Sequence, residues 1–206
     1  MLTHKMRTLF LKLCEYVFPE RDEHRIVRNL RPDDLLLHLC PITRGDIVSL
    51  LPFNEPVVRA VVHEAKFQHN EKAWELLGEV LKQYLKHCGK NTLLIPIPLS
   101  EKRRRARKYN QVEEITKCAH KLLPHLEIST DTLFRKRDTM PQTTLSRKDR
   151  LKNITGAFGV RDVASIKNHN VIVIDDVSTT GATLTVAKQA LDKHHPTSIT
   201  LLSLAR

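Results

Sequence analysis

Apolar positions along this chain follow two rhythms, and the rhythm changes near its middle. From Pro56, "PVVRAVVHEAKF" reads as a helix with a proline in its first turn. A second helix is predicted over Glu71 to His87, where Trp74, Leu77, Leu81, Tyr84 and Leu85 recur at three- and four-residue steps and Gly89 lies just past the end. "TLLIPIP" (92–98) breaks that period and predicts a short buried strand closed by its prolines. After a basic run, Val112, Ile115, Ala119 and Leu122 mark a further amphipathic helix that ends before Pro124.

"STDTLF" (129–134) and "TGAFGV" (155–160) predict strands, and the polar, basic stretch 135–153 between them predicts mostly loop. "VIVIDD" (171–176) is the strongest strand in the chain. Gly181 to His194 predicts a helix with Leu184, Ala187 and Leu191 on one face, and "SITLLSL" closes as a strand. Residues 1–52 show little strand character and are expected to form a small helical extension preceding a domain over 53–206. Strands alternating with helices predict an α/β fold with a mostly parallel central sheet flanked by helices. Ligands of such sheets gather outside the carboxyl ends of the strands, here Pro96 to Pro98 and Asp175 to Thr183.

Composition narrows the class. The chain has 206 residues, enough for one core and a small accessory piece. No apolar run approaches the roughly 20 residues of a membrane span. The first twenty residues have helical apolar spacing cut by Lys12 and Glu15, with neither the core nor the cleavage site of a signal peptide, so a cytoplasmic protein is expected. Four cysteines lie far apart with no C-x-x-C pair, which does not suit a disulfide framework or a zinc site; Cys14, His24, His38 and Cys40 could gather round one metal, but eleven scattered histidines make such sets easy to find by chance. The net charge of +11 is uneven: residues 101–152 carry fifteen Lys or Arg against seven Asp or Glu. A basic quarter of this kind is either a solvated face or the footprint of an anionic ligand, a polyphosphate or a nucleic-acid backbone.

The segment "VIVIDDVSTTGAT" (171–183) decides which chemistry to consider. A Walker-type ATPase strand needs a partner G-x-x-x-x-G-K-[ST] loop, and none of the six glycines sits in that pattern; G-x-G-x-x-G is also absent. A receiver domain carries a similar acid pair on its first strand, whereas only about thirty residues follow it here. A core strand with an acidic turn leaves two adjacent aspartates without a role. What remains is a strand, an acid pair and a small-residue turn opening a helix, whose N–H groups and hydroxyls suit a phosphate. Two carboxylates beside that turn repel a bare polyphosphate but suit vicinal hydroxyls next to a phosphate, as in a ribose 5-phosphate.

The same segment resembles the phosphoribosyl-diphosphate (PRPP) signature of type I phosphoribosyltransferases. Further segments resemble the ComF competence-protein family within that superfamily: "PIPLSEKRRRARKYNQ" with its P-x-P strand end and final Asn-Gln, "KRDTMPQTTLSRKDRLKNITGAF", and the lysine–aromatic "EAKFQHN". Together they span roughly residues 60–206. Members of that family often begin with a four-cysteine zinc element; "YVFPERDEH" keeps the Phe-Pro without a following cysteine, so no zinc is expected. The family's Gly-Phe before the Asn-Gln is Lys108-Tyr109 here.

The resemblance implies the type I phosphoribosyltransferase fold, PRPP and Mg²⁺ as ligands, and displacement of diphosphate from C1 of the ribose by an unidentified nucleophile, commonly nitrogen. It assigns Asp175 and Asp176 to the ribose hydroxyls and the Mg²⁺ shell, and Ser178, Thr179, Thr180, Gly181, Ala182 and Thr183 to the 5-phosphate. Pro96, Ile97, Pro98 and Leu99 with Arg103, Arg104 and Lys66 would meet the diphosphate. Residues 135–152 would form a closing loop carrying Arg137, Gln142, Arg147 and Arg150, with Arg137 and Arg147 in catalytic roles. Purine-salvage enzymes of the superfamily hold an aspartate where this chain has Thr179, which argues against hypoxanthine or guanine as acceptor. The rival expectation is a non-catalytic protein on the same fold that senses PRPP or binds single-stranded DNA through residues 102–152, with a role in DNA uptake.

Overall fold

A computed structural model describes residues 21–137 and 154–206. Its frame follows from the period-two alternation of β-branched and leucine residues. In β7 (Asn170–Val177), Ile172 and Ile174 face one apolar cluster while Val171 and Val173 face a second on the other side of the sheet. The same alternation splits β3 (Thr92–Pro96), with Leu94 on the first side and Leu93 and Ile95 on the second, and β8 (Ser198–Ala205), with Leu202 and Leu204 opposite Leu201. Strands buried on both faces need a cover on each.

Helices α3 (Pro56–Phe67), α4 (Glu71–Leu85) and α6 (Gln111–Leu122) supply the first cover, and α7 (Ala182–Leu191) with a small two-stranded sheet supplies the second. Gly78 in α4 lets α6 approach closely, since a Cβ there would lie 2.7 Å from that of Cys118. The ends of these helices are set locally. Pro56 opens α3 where its missing N–H costs nothing, and Asn70 accepts from Ala73 N to cap α4.

The main sheet has six strands in the order β1-β2-β8-β7-β3-β4, where β1 is Ile42–Arg44, β2 is Ile47–Leu51 and β4 is Glu127–Ile128. Within that sheet only the β1–β2 pair is antiparallel among the described strands. The small sheet pairs β5 (Leu133–Arg135) with β6 (Phe158–Val160). The result is a mostly parallel sheet between layers of helices, the α/β arrangement expected.

Several expectations need correction. The first 52 residues are not wholly helical: α1 (Asp22–Asn29) and α2 (Pro32–Leu36) are followed by β1 and β2, and β2 lies parallel to β8 inside the main sheet. "IVSLL" is too short an apolar run to announce itself, and its strand state comes from the partner. "STDTLF" is not one strand. Ser129 Oγ receives Thr132 N and bonds to Asp131 and Thr132, a polar turn that separates β4 from β5. The helix expected to run on to His194 ends at Leu191 and passes into a 3₁₀ turn over Asp192–His194. Gln142, Arg147 and Arg150 lie outside the described residues, as does Cys14.

His24, His38 and Cys40 do not come together. His24 is paired with Glu64, and Cys40 lies exposed beside the outer strand β1. Among the described residues the grouping nearest to metal-binding geometry is Glu23, His63 and Glu64. It is an ion-pair cluster: Arg21 reaches Glu64 Oε1 at 3.2 Å, His24 reaches Oε2 at 3.1 Å, and Asn70 donates to Oε2 at 2.8 Å. Glu64 is fully buried, and these contacts fasten α1 to α3. No helix among the described residues is long and apolar enough to cross a membrane.

Candidate active site

The carboxyl ends of β3 and β7 lie side by side, with Pro96 opposite Ile174 in register. β7 therefore delivers Asp175 and Asp176 at the point where β3 turns away through Ile97, Pro98 and Leu99. That turn is held from three directions. Ile97 N donates to Ile174 O at 2.8 Å, Asn110 Nδ2 donates to Ile97 O at 3.0 Å, and Arg135 Nε donates to Pro98 O at 3.0 Å. Between these elements opens a cleft of about 270 Å³. It brings together nine of the residues singled out from the sequence: Lys66, Ile97, Pro98, Leu99, Arg103, Asp175, Asp176, Thr179 and Thr183. Pro96 lies buried at its floor.

Beyond the acids, the chain makes the turn 178–181 that opens α7. Gly181 has φ +76°, and a Cβ there would come 2.2 Å from Ile47 Cδ1, so only glycine fits. Ser178 N bonds to Ala205 O at 3.0 Å, fixing the turn to β8. The Ser178 hydroxyl is buried and has no hydrogen-bond partner among the described residues. Thr180, Gly181 and Ala182 line a dimple shared with Asp175, Ser178 and Thr183.

Two predicted residues fall elsewhere. Arg104 is mostly exposed and faces Glu113 at 3.8 Å, outside the cleft lining. Arg137 donates to Thr155 O at 3.0 Å and is not part of that lining.

The phosphoribosyl transferase domain model matches residues 117–206, which include β7, the small-residue turn and α7. Over 157 residues the chain is 25% identical to DNA utilization protein YhgH of Escherichia coli O157:H7, covering 73% of this chain and 68% of that protein. Competence protein F of Haemophilus influenzae is 34% identical over 119 residues, 55% of this chain and 49% of that one. Competence protein ComFC of Bacillus subtilis is 29% identical over 120 residues, 57% of this chain and 45% of the other. The chain is thus similar to competence and DNA utilization proteins and, over its second half, to the phosphoribosyl transferase domain. It spans about half the length of the two competence proteins.

The two acids are not equivalent. Burial works to raise the Asp176 carboxyl, but Lys66 Nζ at 2.8 Å, Gln111 Nε2 at 2.7 Å and Val177 N at 2.7 Å together hold it below the usual carboxylate range. Asp175 is pushed up to about 7, first by burial and then by the Asp176 charge, against the pull of Lys66, of the Asp176 N–H and of Arg135. Asp176 is thus the fixed anion and Asp175 the acid that titrates near neutrality.

The fold also gathers three residues that the sequence did not single out: Arg107, Gln111 and Arg135. Gln111 holds Asp176 and accepts from Arg107 at 3.2 Å. The Asn-Gln pair was visible, and Asn110 caps α6 by accepting from Val112 N, but nothing in the sequence shows that Gln111 meets an acid 65 residues away. Arg107 is the end of α5 (Glu101–Arg107), whose Lys108 cap adopts φ +67°. Glycine takes that left-handed conformation without the Cβ penalty that Lys108 bears. With Lys66, Arg103, Arg107 and Arg135 around two acids, the cleft carries an excess of positive charge.

Proposed function

We propose that this cleft binds PRPP with Mg²⁺ and that the protein displaces diphosphate from C1 of the ribose with a nitrogen nucleophile. The observation that carries this reading is the buried Ser178 hydroxyl, without a hydrogen-bond partner among the described residues, in a glycine-opened turn at the head of α7, two residues beyond the acid pair. A phosphate there gains that hydroxyl, the turn's N–H groups and the helix dipole. The ribose hydroxyls of the same ligand then fall over Asp175 and Asp176.

Mg²⁺, when bound, neutralises the diphosphate. The donors fit it loosely, because Asp176 is engaged by Lys66 and Gln111, leaving Asp175 with the ligand's own oxygens and water to surround a hard cation. The nucleophile's lone pair forms the new bond to C1 as the C1–O bond breaks. The electron pair leaves with diphosphate, and the nucleophile gives up its proton to solvent. Arg103, Arg107 and Arg135 supply fixed positive charge where negative charge grows, and the acid pair fixes the sugar against rotation.

The test is thermal stabilisation by PRPP with Mg²⁺, and diphosphate release, in the parent and in Asp175→Asn/Asp176→Asn. Stabilisation in the parent and its loss in the double variant are expected. A parent that PRPP does not stabilise overturns the reading. The exposed guanidiniums of Arg104 and Arg105 on the outer face of α5 favour a second role, sequence-blind affinity for single-stranded DNA, in keeping with the names of the relatives. Loss of DNA affinity in Arg104→Ala/Arg105→Ala with PRPP stabilisation unchanged would place that role outside the cleft.

A further inference from the structure

Glu23 of α1 meets His63 and Glu64 of α3, and one ligand atom from each lies within 4.8 Å of the other two. Two polar atoms of this group, His63 Nδ1 and Glu64 Oε1, are buried without a hydrogen bond among the described residues. His63 Nδ1 lies 3.0 Å from Glu23 Oε2, and Arg21 lies 3.2 Å from Glu64 Oε1; both are ion-pair distances without hydrogen-bond alignment. Glu64 Oε2, by contrast, is fully used. It receives Asn70 Nδ2 at 2.8 Å and lies 3.1 Å from His24 Nδ1, and Asn70 is itself fixed through Ala73 N as the cap of α4. That anchorage sets the plane of the carboxylate and leaves Oε1 to a cation. The His63 ring is held by Phe67, 4.9 Å away and one turn along α3. Charge within the group does not balance. Two carboxylates share one half-exposed guanidinium, so one negative charge is left over with the imidazoles neutral.

We propose that Glu23, His63 and Glu64 bind one divalent transition-metal ion of the zinc type, which takes the place of Arg21 and clasps α1 to α3. A buried polar atom without a partner marks a place for water or an ion, and here two such atoms converge with a second carboxylate. One imidazole and two carboxylates leave a fourth position to water, a ligand count that suits Zn²⁺. The imidazole disfavours Mg²⁺ and Ca²⁺, which take oxygen ligands, and the lack of sulfur disfavours a soft ion. Asn70 and His24 then act from behind, orienting the Glu64 carboxylate as hydrogen-bonded outer groups do around metal ligands. The ion-pair cluster is the form the group takes without the metal, with the Arg21 guanidinium standing where the ion would compensate charge. The ligands lie on two helices and include no cysteine, so the site is unlike a four-cysteine element. It is independent of what the cleft binds.

Zn²⁺ is titrated into the full chain after treatment with a chelator, and binding is read by calorimetry and by melting temperature. One ion held by these residues is expected, with a higher melting temperature and slower proteolysis of residues 21–30. Glu23→Gln and His63→Ala change side chains that are each 40% exposed, and melting in chelator shows that both variants fold. Each should weaken binding about tenfold or more. Arg21→Ala should bind Zn²⁺ up to about fivefold more tightly, because the competing cation is gone. A purely structural ion pair predicts no such gain, and weaker binding in Arg21→Ala overturns the exchange. Asp175→Asn/Asp176→Asn should bind the ion as the parent does; loss there puts the ion in the cleft and overturns the proposal. A parent that binds no Zn²⁺ overturns it as well. So does equal binding by the parent, Glu23→Gln and His63→Ala, the mark of an adventitious ion only, held by other histidines. Failure of PRPP to stabilise the parent bears on the cleft and leaves this result standing.

Discussion

Asp175 and Asp176 are neighbours on one strand, yet they take opposite protonation behaviour because their partners differ. Asp176 has Lys66 and Gln111; Asp175 has Asp176 itself. A folded-state carboxyl raised to about 7 binds more protons than the unfolded chain between about pH 4 and pH 7. Its contribution to stability is therefore complete below the unfolded value and is lost as pH rises through 7. Asp175→Asn should flatten the dependence of thermal stability on pH across that window and make the protein more stable than the parent at pH 8, as read by melting curves. An unchanged pH profile would show that Asp175 is not the titrating group. The acid pair was legible in the sequence because an aliphatic run ended in it. Its inequality was not, since Lys66 and Gln111 reach Asp176 only through the packing of α3 and α6 on the sheet.

At the level of elements, the period of apolar residues located β3, β7, β8 and the helices between them, because strands buried on both faces must be uninterrupted and amphipathic helices must not be. It failed at β2, five residues whose state depends on β8, and at the turn 129–132, where hydroxyls satisfy one another in place of a ladder. The head of α7 joins the two kinds of information. Its sequence announces a turn, but the reason for glycine lies across the sheet in Ile47. Gly181→Ala should cost about 2 to 4 kcal/mol, from left-handed strain together with overpacking. Adding Ile47→Ala should recover the steric part and leave the strain. Urea denaturation of the two single variants and the double variant separates these terms; full additivity would exclude the clash.

Across the whole molecule, the N-terminal helices are attached by charge as well as by the buried Val27 and Leu35. Glu64, buried under α1, is raised by burial but held below its ordinary value by Asn70, His24 and Arg21 acting together. Its stabilising contribution is present above the ordinary carboxylate range and fades as pH falls through the lowered value. Glu64→Gln should cost about 2 kcal/mol, since the Asn70 contact can survive while two charge-assisted contacts are lost. Arg21 is half exposed, so its share is screened and small. Urea denaturation measures the loss, and limited proteolysis should cut residues 21–30 sooner in the variant than in the parent.

β7 is hydrogen-bonded to β3 on one side and to β8 on the other, and the acid pair sits at its end. Separating that strand means tearing two ladders at once, an event close to complete unfolding. The α1 clasp can open, and α5, which has no buried residue, can fray, while the floor of the cleft keeps its shape. Adjustment to an incoming guest thus falls to the rim, and the floor is among the last parts of the molecule to loosen.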